Sequence, residues 1–117
     1  MAYSTILADK VREYLSKIKG LKIEEKKMFG GLAFMVNGKM CINVGEDMLM
    51  CRFDPALIDE IAEKNGFLPM IMNGKEYKGY CYVEPVGYKN KNEFEYWVNL
   101  CLDFNDRAKS SKKRTKK

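Results

Sequence analysis

Apolar residues at the start of the chain recur at helical spacing. Leu7, Val11, Tyr14, Leu15 and Ile18 fall on one side, with Asp9, Lys10, Arg12, Glu13, Ser16 and Lys17 on the other. The pattern predicts an amphipathic helix over about residues 4–19. Ser4 is placed to cap it, Lys17 and Lys19 suit the negative end of its dipole, and Gly20 can take the left-handed conformation that ends it.

From Ile23 to Phe53 the period changes to two, and Gly30-Gly31, Asn37-Gly38 and Gly45-Glu46-Asp47 separate short apolar runs. These runs predict a meander of antiparallel strands. Asn37-Gly38 is the strongest turn signal, because a two-residue type I′ turn needs positive φ at both positions. It joins Leu32–Val36 to Met40–Val44. Strict alternation puts Met40, Ile42 and Val44 on one face and Cys41 and Asn43 on the other. In the next strand Leu49, Cys51 and Phe53 face opposite to Met48, Met50 and Arg52.

Asp54-Pro55 is a cap-and-first-position pair that opens a second helix, with Leu57, Ile58, Ile61 and Ala62 as its buried stripe and Asn65-Gly66 as its stop. Residues 67–84 suggest a further hairpin, with Met70–Met72 and Tyr80–Glu84 as strands around Asn73-Gly74 and Gly79. A capping-box-like Asn92-Glu93-Phe94-Glu95 then opens a last helix running to about Arg107. Its core stripe is Phe94, Trp97, Val98, Cys101 and Phe104. The order predicts an α+β fold: an antiparallel sheet, a meander plus a second hairpin, with three helices packed on it.

Charge divides the chain. Residues 108–117, AKSSKKRTKK, hold six of its 21 Lys and Arg and none of its 16 acids, leaving 15 basic side chains before them. Residues 1–107 are therefore a nearly neutral folded domain, and 108–117 a disordered basic tail with no side chain able to repay its ordering entropy by packing. Lys109, Lys112, Lys113, Arg114, Lys116 and Lys117 are candidate contacts for weak, non-specific nucleic acid binding through counterion release. The plainer reading is a solubilising end. The longest apolar run, Leu32–Val36, is too short to span a bilayer, and the start carries no secretory signal, so a cytoplasmic location without a membrane partner is expected.

Catalytic inventory is thin. With no histidine, neither a Ser-His-Asp nor a Cys-His arrangement is available, and no phosphate loop follows Gly30-Gly31. Cys41, Cys51, Cys81 and Cys101 lack metal-ligand spacing and read as buried, reduced thiols; a redox role would need Cys41 and Cys51 close together and exposed. No enzyme, metal or cofactor is expected. Tyr80 and Tyr82 share one face of a strand, where they either stack bases or pack across strands. Met48, Met50, Met70 and Met72 suit an adaptable protein-binding surface or ordinary core filling.

The segment Lys27-Met28-Phe29-Gly30-Gly31-Leu32-Ala33-Phe34-Met35-Val36-Asn37-Gly38 resembles the N-terminal domain of the TfoX/Sxy family, whose hallmark is a similar MFGG segment leading into a hairpin. Lys78-Gly79-Tyr80-Cys81-Tyr82-Val83 and Trp97-Val98 extend the resemblance over nearly the whole ordered body. It implies an α+β fold similar to YgaC-like proteins and secretion chaperones. It also implies a non-enzymatic regulatory or adaptor role linked to competence regulators that act with transcription machinery, hence a protein partner. Met28, Phe29, Gly30 and Gly31 are the candidate interaction segment, since paired glycines allow close approach; a tight link between two strands explains them without any ligand and is the plainer reading.

Overall fold

A computed structural model describes residues 3–28 and 30–107; Phe29 and the basic segment 108–117 lie outside the described residues. The chain runs α1 (Thr5–Ser16), β1 (Ile23–Met28), β2 (Gly31–Val36), β3 (Lys39–Val44) and β4 (Leu49–Arg52). A 3₁₀ turn (Pro55–Leu57) then leads into α2 (Ile58–Ile61), followed by β5 (Phe67–Met72), β6 (Lys75–Val83), a second 3₁₀ turn (Pro85–Gly87) and α3 (Lys91–Asn105). The strands form one six-stranded sheet in the order β1-β2-β3-β4-β6-β5, with every neighbouring pair antiparallel. The predicted α+β class is what the structure has.

Local chemistry accounts for the turns. Asn37-Gly38 and Asn73-Gly74 both take positive φ, at 53° and 84° and at 55° and 76°, as two-residue primed turns require. Ser4 Oγ accepts the Leu7 N–H at 3.1 Å and starts α1 as predicted. The helix ends at Ser16, short of the expected residue 19, because the Lys17 and Ile18 N–H groups already bond back three residues, to Tyr14 and Leu15. In α3 the cap is Asn90, whose side chain accepts the Glu93 N–H at 2.8 Å, so the helix starts before the expected Asn92 box.

Two sequence expectations are corrected. The second helix is one short α-turn, not a helix reaching Asn65. Asp54 does accept the Ala56 N–H and Pro55 does open it, but within the segment only Ile61 is fully buried and Ala62 is exposed. Leu57 and Ile58 pack against the core only half-buried, and one fully buried side chain with two partial ones does not hold a longer helix against its nucleation cost. The second correction concerns β3. Phe34 pairs with Ile42 but Met35 pairs with Met40, so Cys41 is an extra residue, a β-bulge that inverts the alternation. Met40 therefore leaves Ile42 and Val44 and joins the opposite face.

All helices pack on one side of the sheet. Leu7, Ala8, Val11 and Leu15 of α1, Ile61 of α2 and Phe94, Trp97, Val98 and Cys101 of α3 join the helix-facing residues of β2, β3, β4 and β6 in the main core. Each fully buried aliphatic side chain there contributes roughly 1.5–3 kcal/mol. Trp97 is 1% exposed, and its indole N–H donates to the Gly87 carbonyl at 2.9 Å. That carbonyl is within reach because the loops after α2 and after β6 cross at two glycines. A Cβ on Gly66 would stand 2.6 Å from the Gly87 Cα. The Lys39 ammonium donates to the Asn105 and Asp106 carbonyls, both at 3.1 Å, at the negative end of α3.

Both sheet edges are blunted. β1 carries Glu24, Glu25, Lys26 and Lys27, all exposed. On β5, the Glu84 N–H bonds to the Gly66 carbonyl, and the register Phe67↔Val83, Pro69↔Cys81 follows on from that pair. Alternation then turns Pro69 outward, so the middle of this free edge offers no N–H.

Arg12 ties α1 to β1. Its Nε and Nη2 donate to the two Glu25 carboxylate oxygens at 2.6 and 2.8 Å, and Nη1 donates to Asp9 at 2.5 Å. The hydrogen bonds from Arg12 hold the Glu25 carboxyl below its usual range, against an opposing burial effect. A lowered folded-state value stabilises the fold above the ordinary carboxylate range, and the contribution disappears as pH falls through it. The pair is partly exposed, so Glu25→Gln is expected to cost about 0.5–1 kcal/mol near pH 7 and almost nothing near pH 2. Urea unfolding of both chains at the two pH values checks this.

Candidate functional site

The other side of the sheet carries no helix. Its buried cluster is Ala33, Met35, Met40, Met50 and Met70, all 5% exposed or less, with Met28, Tyr80 and Tyr82 half-buried against it. Register explains the convergence. Ala33 and Met35 alternate with the core residues of β2, Met40 arrives by the bulge, and Met50 is the cross-strand partner of Tyr82. Arg52 lies opposite Tyr80, with its guanidinium 5.7 Å from the ring centroid and Nη1 at 3.5 Å from the Met40 carbonyl. Half-exposed Met28, Tyr80 and Tyr82 thus overlie a buried layer of polarizable thioether side chains, with the Arg52 cation beside Tyr80.

The glycine-rich segment opens onto this face. Met28 ends β1 as the Cα partner of Gly31, which begins β2. Asn43, 2% exposed, spends its side-chain amide on the Met28 carbonyl, donating from Nδ2 at 3.0 Å and pinning the turn to β3. Gly31 is required by close approach: a Cβ there would overlap the Val44 carbonyl oxygen and stand 2.5 Å from Asn43 Oδ1. Gly30 differs, with φ of +72° and open space where a Cβ would project. The two glycines of the hallmark therefore serve a dihedral angle and a backbone contact.

The structure thus brings together Met28, Gly30 and Gly31 with the Tyr80/Tyr82 pair at one face. Phe29 and the six tail cations, Lys109, Lys112, Lys113, Arg114, Lys116 and Lys117, lie outside the described residues. Met35, Met40, Asn43 and Arg52 belong to the same face, and sequence reading missed them as members of the site. Period-two alternation could have found Met35, whereas Met40 was hidden by the bulge. The exposed Cys41 and Cys51 that a redox role called for are not there: both are buried, at 1% and 0%. Burial, with the Cys101 and Cys81 thiols close by, pushes the Cys51 thiol well above its ordinary value.

On the helical side, Glu63, Glu93, Tyr96 and Trp97 line a shallow notch of about 310 Å³, and the Lys64 ammonium sits 4.9 Å from the Tyr96 ring centroid. Among the described residues no three His, Cys, Asp or Glu side chains are arranged to hold a metal ion, and no helix is long and apolar enough to cross a membrane.

Gly31→Ala is expected to destabilise the chain by about 2–4 kcal/mol, because β3 backbone cannot yield as a flexible side chain would. Gly30→Ala is expected to cost about 1 kcal/mol, for its dihedral alone. Denaturant unfolding of both variants measures the difference.

A family model described as the TfoX N-terminal domain matches residues 13–105. No curated protein and no solved structure shows significant similarity to the chain.

Proposed function

This chain belongs to the TfoX N-terminal domain family, and from that membership we propose that it is a non-enzymatic regulatory domain that works by holding another protein. The observation that carries the reading is the helix-free face. Met28 of the segment on which the family resemblance rests packs against this face, and the half-exposed Tyr80 and Tyr82, with buried methionines beneath them able to repack, support a partner surface there. Tyr80 and Tyr82 supply large rigid contact area at small entropic cost, and Arg52 supplies a charge at the rim. By family resemblance the partner belongs to the transcription machinery.

The test is retention of purified transcription complexes on the immobilised full chain. A Tyr80→Ser, Tyr82→Ser double variant with unchanged circular dichroism is expected to weaken retention at least tenfold, as loss of two aromatic contacts of about 1 kcal/mol or more each would. Equal retention by the double variant would sink the reading.

A second reading is favoured by charge. The six cations of 108–117 give a nearly neutral body one strongly basic end, which supports weak binding of nucleic acid without sequence preference. The full chain is then expected to bind mixed-sequence DNA or RNA with a steep salt dependence that residues 1–107 alone lack. Titrations at two salt concentrations decide it; equal binding by both chains means the tail is not the anchor.

A further inference from the structure

The four cysteines, 10, 30 and 20 residues apart in sequence, meet in the main core. Cys51 of β4 and Cys81 of β6 are cross-strand Cα partners. Cys41 is the bulge residue of β3, and Cys101 reaches down from α3, so that its thiol interacts with those of Cys41 and Cys51. All four are free and at most 1% exposed.

The register defines the geometry of the Cys51 and Cys81 pair. The Phe53 N–H donates to the Gly79 carbonyl, two residues further along the same ladder, which makes Cys51 and Cys81 a hydrogen-bonded pair. In such pairs the Cα atoms lie about 5.5 Å apart, inside the range that a disulfide spans. Their Cβ atoms lie wider than a relaxed disulfide prefers, so the bond would be strained and readily reduced.

We propose that Cys51 and Cys81 form a reversible oxidation site in which hydrogen peroxide or an organic peroxide converts the two thiols into a disulfide joining β4 to β6. Once water reaches the pair and Cys51 can lose its proton, its thiolate attacks one peroxide oxygen, and the O–O bond breaks to leave a sulfenic acid and release water, or the alcohol of an organic peroxide. The Cys81 thiol then displaces the hydroxyl as water. One S–S bond replaces two S–H bonds, and the two electrons reduce the peroxide. Both thiols are covered, so the oxidant gains access when α3, which carries Cys101 over the pair, opens from the sheet. Cys81 lies between Tyr80 and Tyr82, and Cys51 between Met50 and Arg52, all four neighbours belonging to the helix-free face. Drawing the two strands together on the core side reorients those side chains, so oxidation would regulate the face; this consequence rests on the function proposed above, whereas the site itself does not.

The test treats the natively folded full chain with hydrogen peroxide, blocks remaining thiols with an alkylating agent, and digests with trypsin without reduction. The expected result is a mass loss of two hydrogens, two alkylated thiols in place of four, and a crosslink between the peptides 40–52 and 79–89. It should persist in Cys41→Ser and Cys101→Ser, vanish in Cys81→Ser, reverse with dithiothreitol, and form several-fold faster in Val98→Ala, which loosens α3 and keeps all four cysteines. A native chain that keeps four alkylatable thiols, gains oxygen without crosslinking, or links Cys101 instead would overturn the proposal. None of these readouts involves a partner, so they separate this inference from the adaptor reading.

Discussion

The hydrogen bond from the Trp97 indole to the Gly87 carbonyl ties α3 to the turn after β6, at the place where two loops cross at Gly66 and Gly87 with no side chain between them. Trp97 is the largest fully buried side chain of the domain, and an indole N–H left unpaired at that depth would cost about 1–3 kcal/mol. With the bond made, α3 is seated and its Phe94, Val98 and Cys101 meet the sheet. α1 then closes the remaining end through the Tyr14 hydroxyl, which donates to Asn99 at 2.8 Å, and through the edge-on contact of Tyr14 with Phe94.

With every helix committed to one side, the strands have a division of labour. Residues turned toward the helices are aliphatic, thiol-bearing or, at Phe34, aromatic and stabilise the fold, while the clustered residues turned away are methionine, alanine and tyrosine. The β3 bulge refines this division. By adding Cys41 it places Ile42, Val44 and a thiol in the core while delivering Met40 to the opposite face, which a regular strand of the same length could not do.

Much of the fold was legible because its signals are local. The Asn-Gly turns, the Ser4 and Asp54 caps and the α3 stripe from Phe94 to Cys101 each depend on a few adjacent residues and formed where their chemistry pointed, whereas Phe104, expected in that stripe, is only half-buried. What failed was non-local. The second helix has good capping chemistry but lacks burial, which only the tertiary packing supplies. The place of Met40 depends on pairing with β2, since no residue type announces a bulge. Of the candidate site, Met28, Gly30 and Gly31 stood out by the family resemblance of their segment and its paired glycines, and Tyr80 with Tyr82 by their alternation. That they share a face with Met35 and Met50 follows from strand order, where β6 inserts between β4 and β5. The meeting of the four cysteines has the same origin, and separations of 10, 30 and 20 residues give no hint of it.

The blunted edges limit how any macromolecule could engage this domain. A ribbon of main chain from a neighbour finds charged side chains along β1 and a missing donor at the middle of β5, so neither rim is a good template for growing the sheet. Main-chain pairing is thereby disfavoured at both rims, and crowded copies are hindered from joining edge to edge into extended sheets.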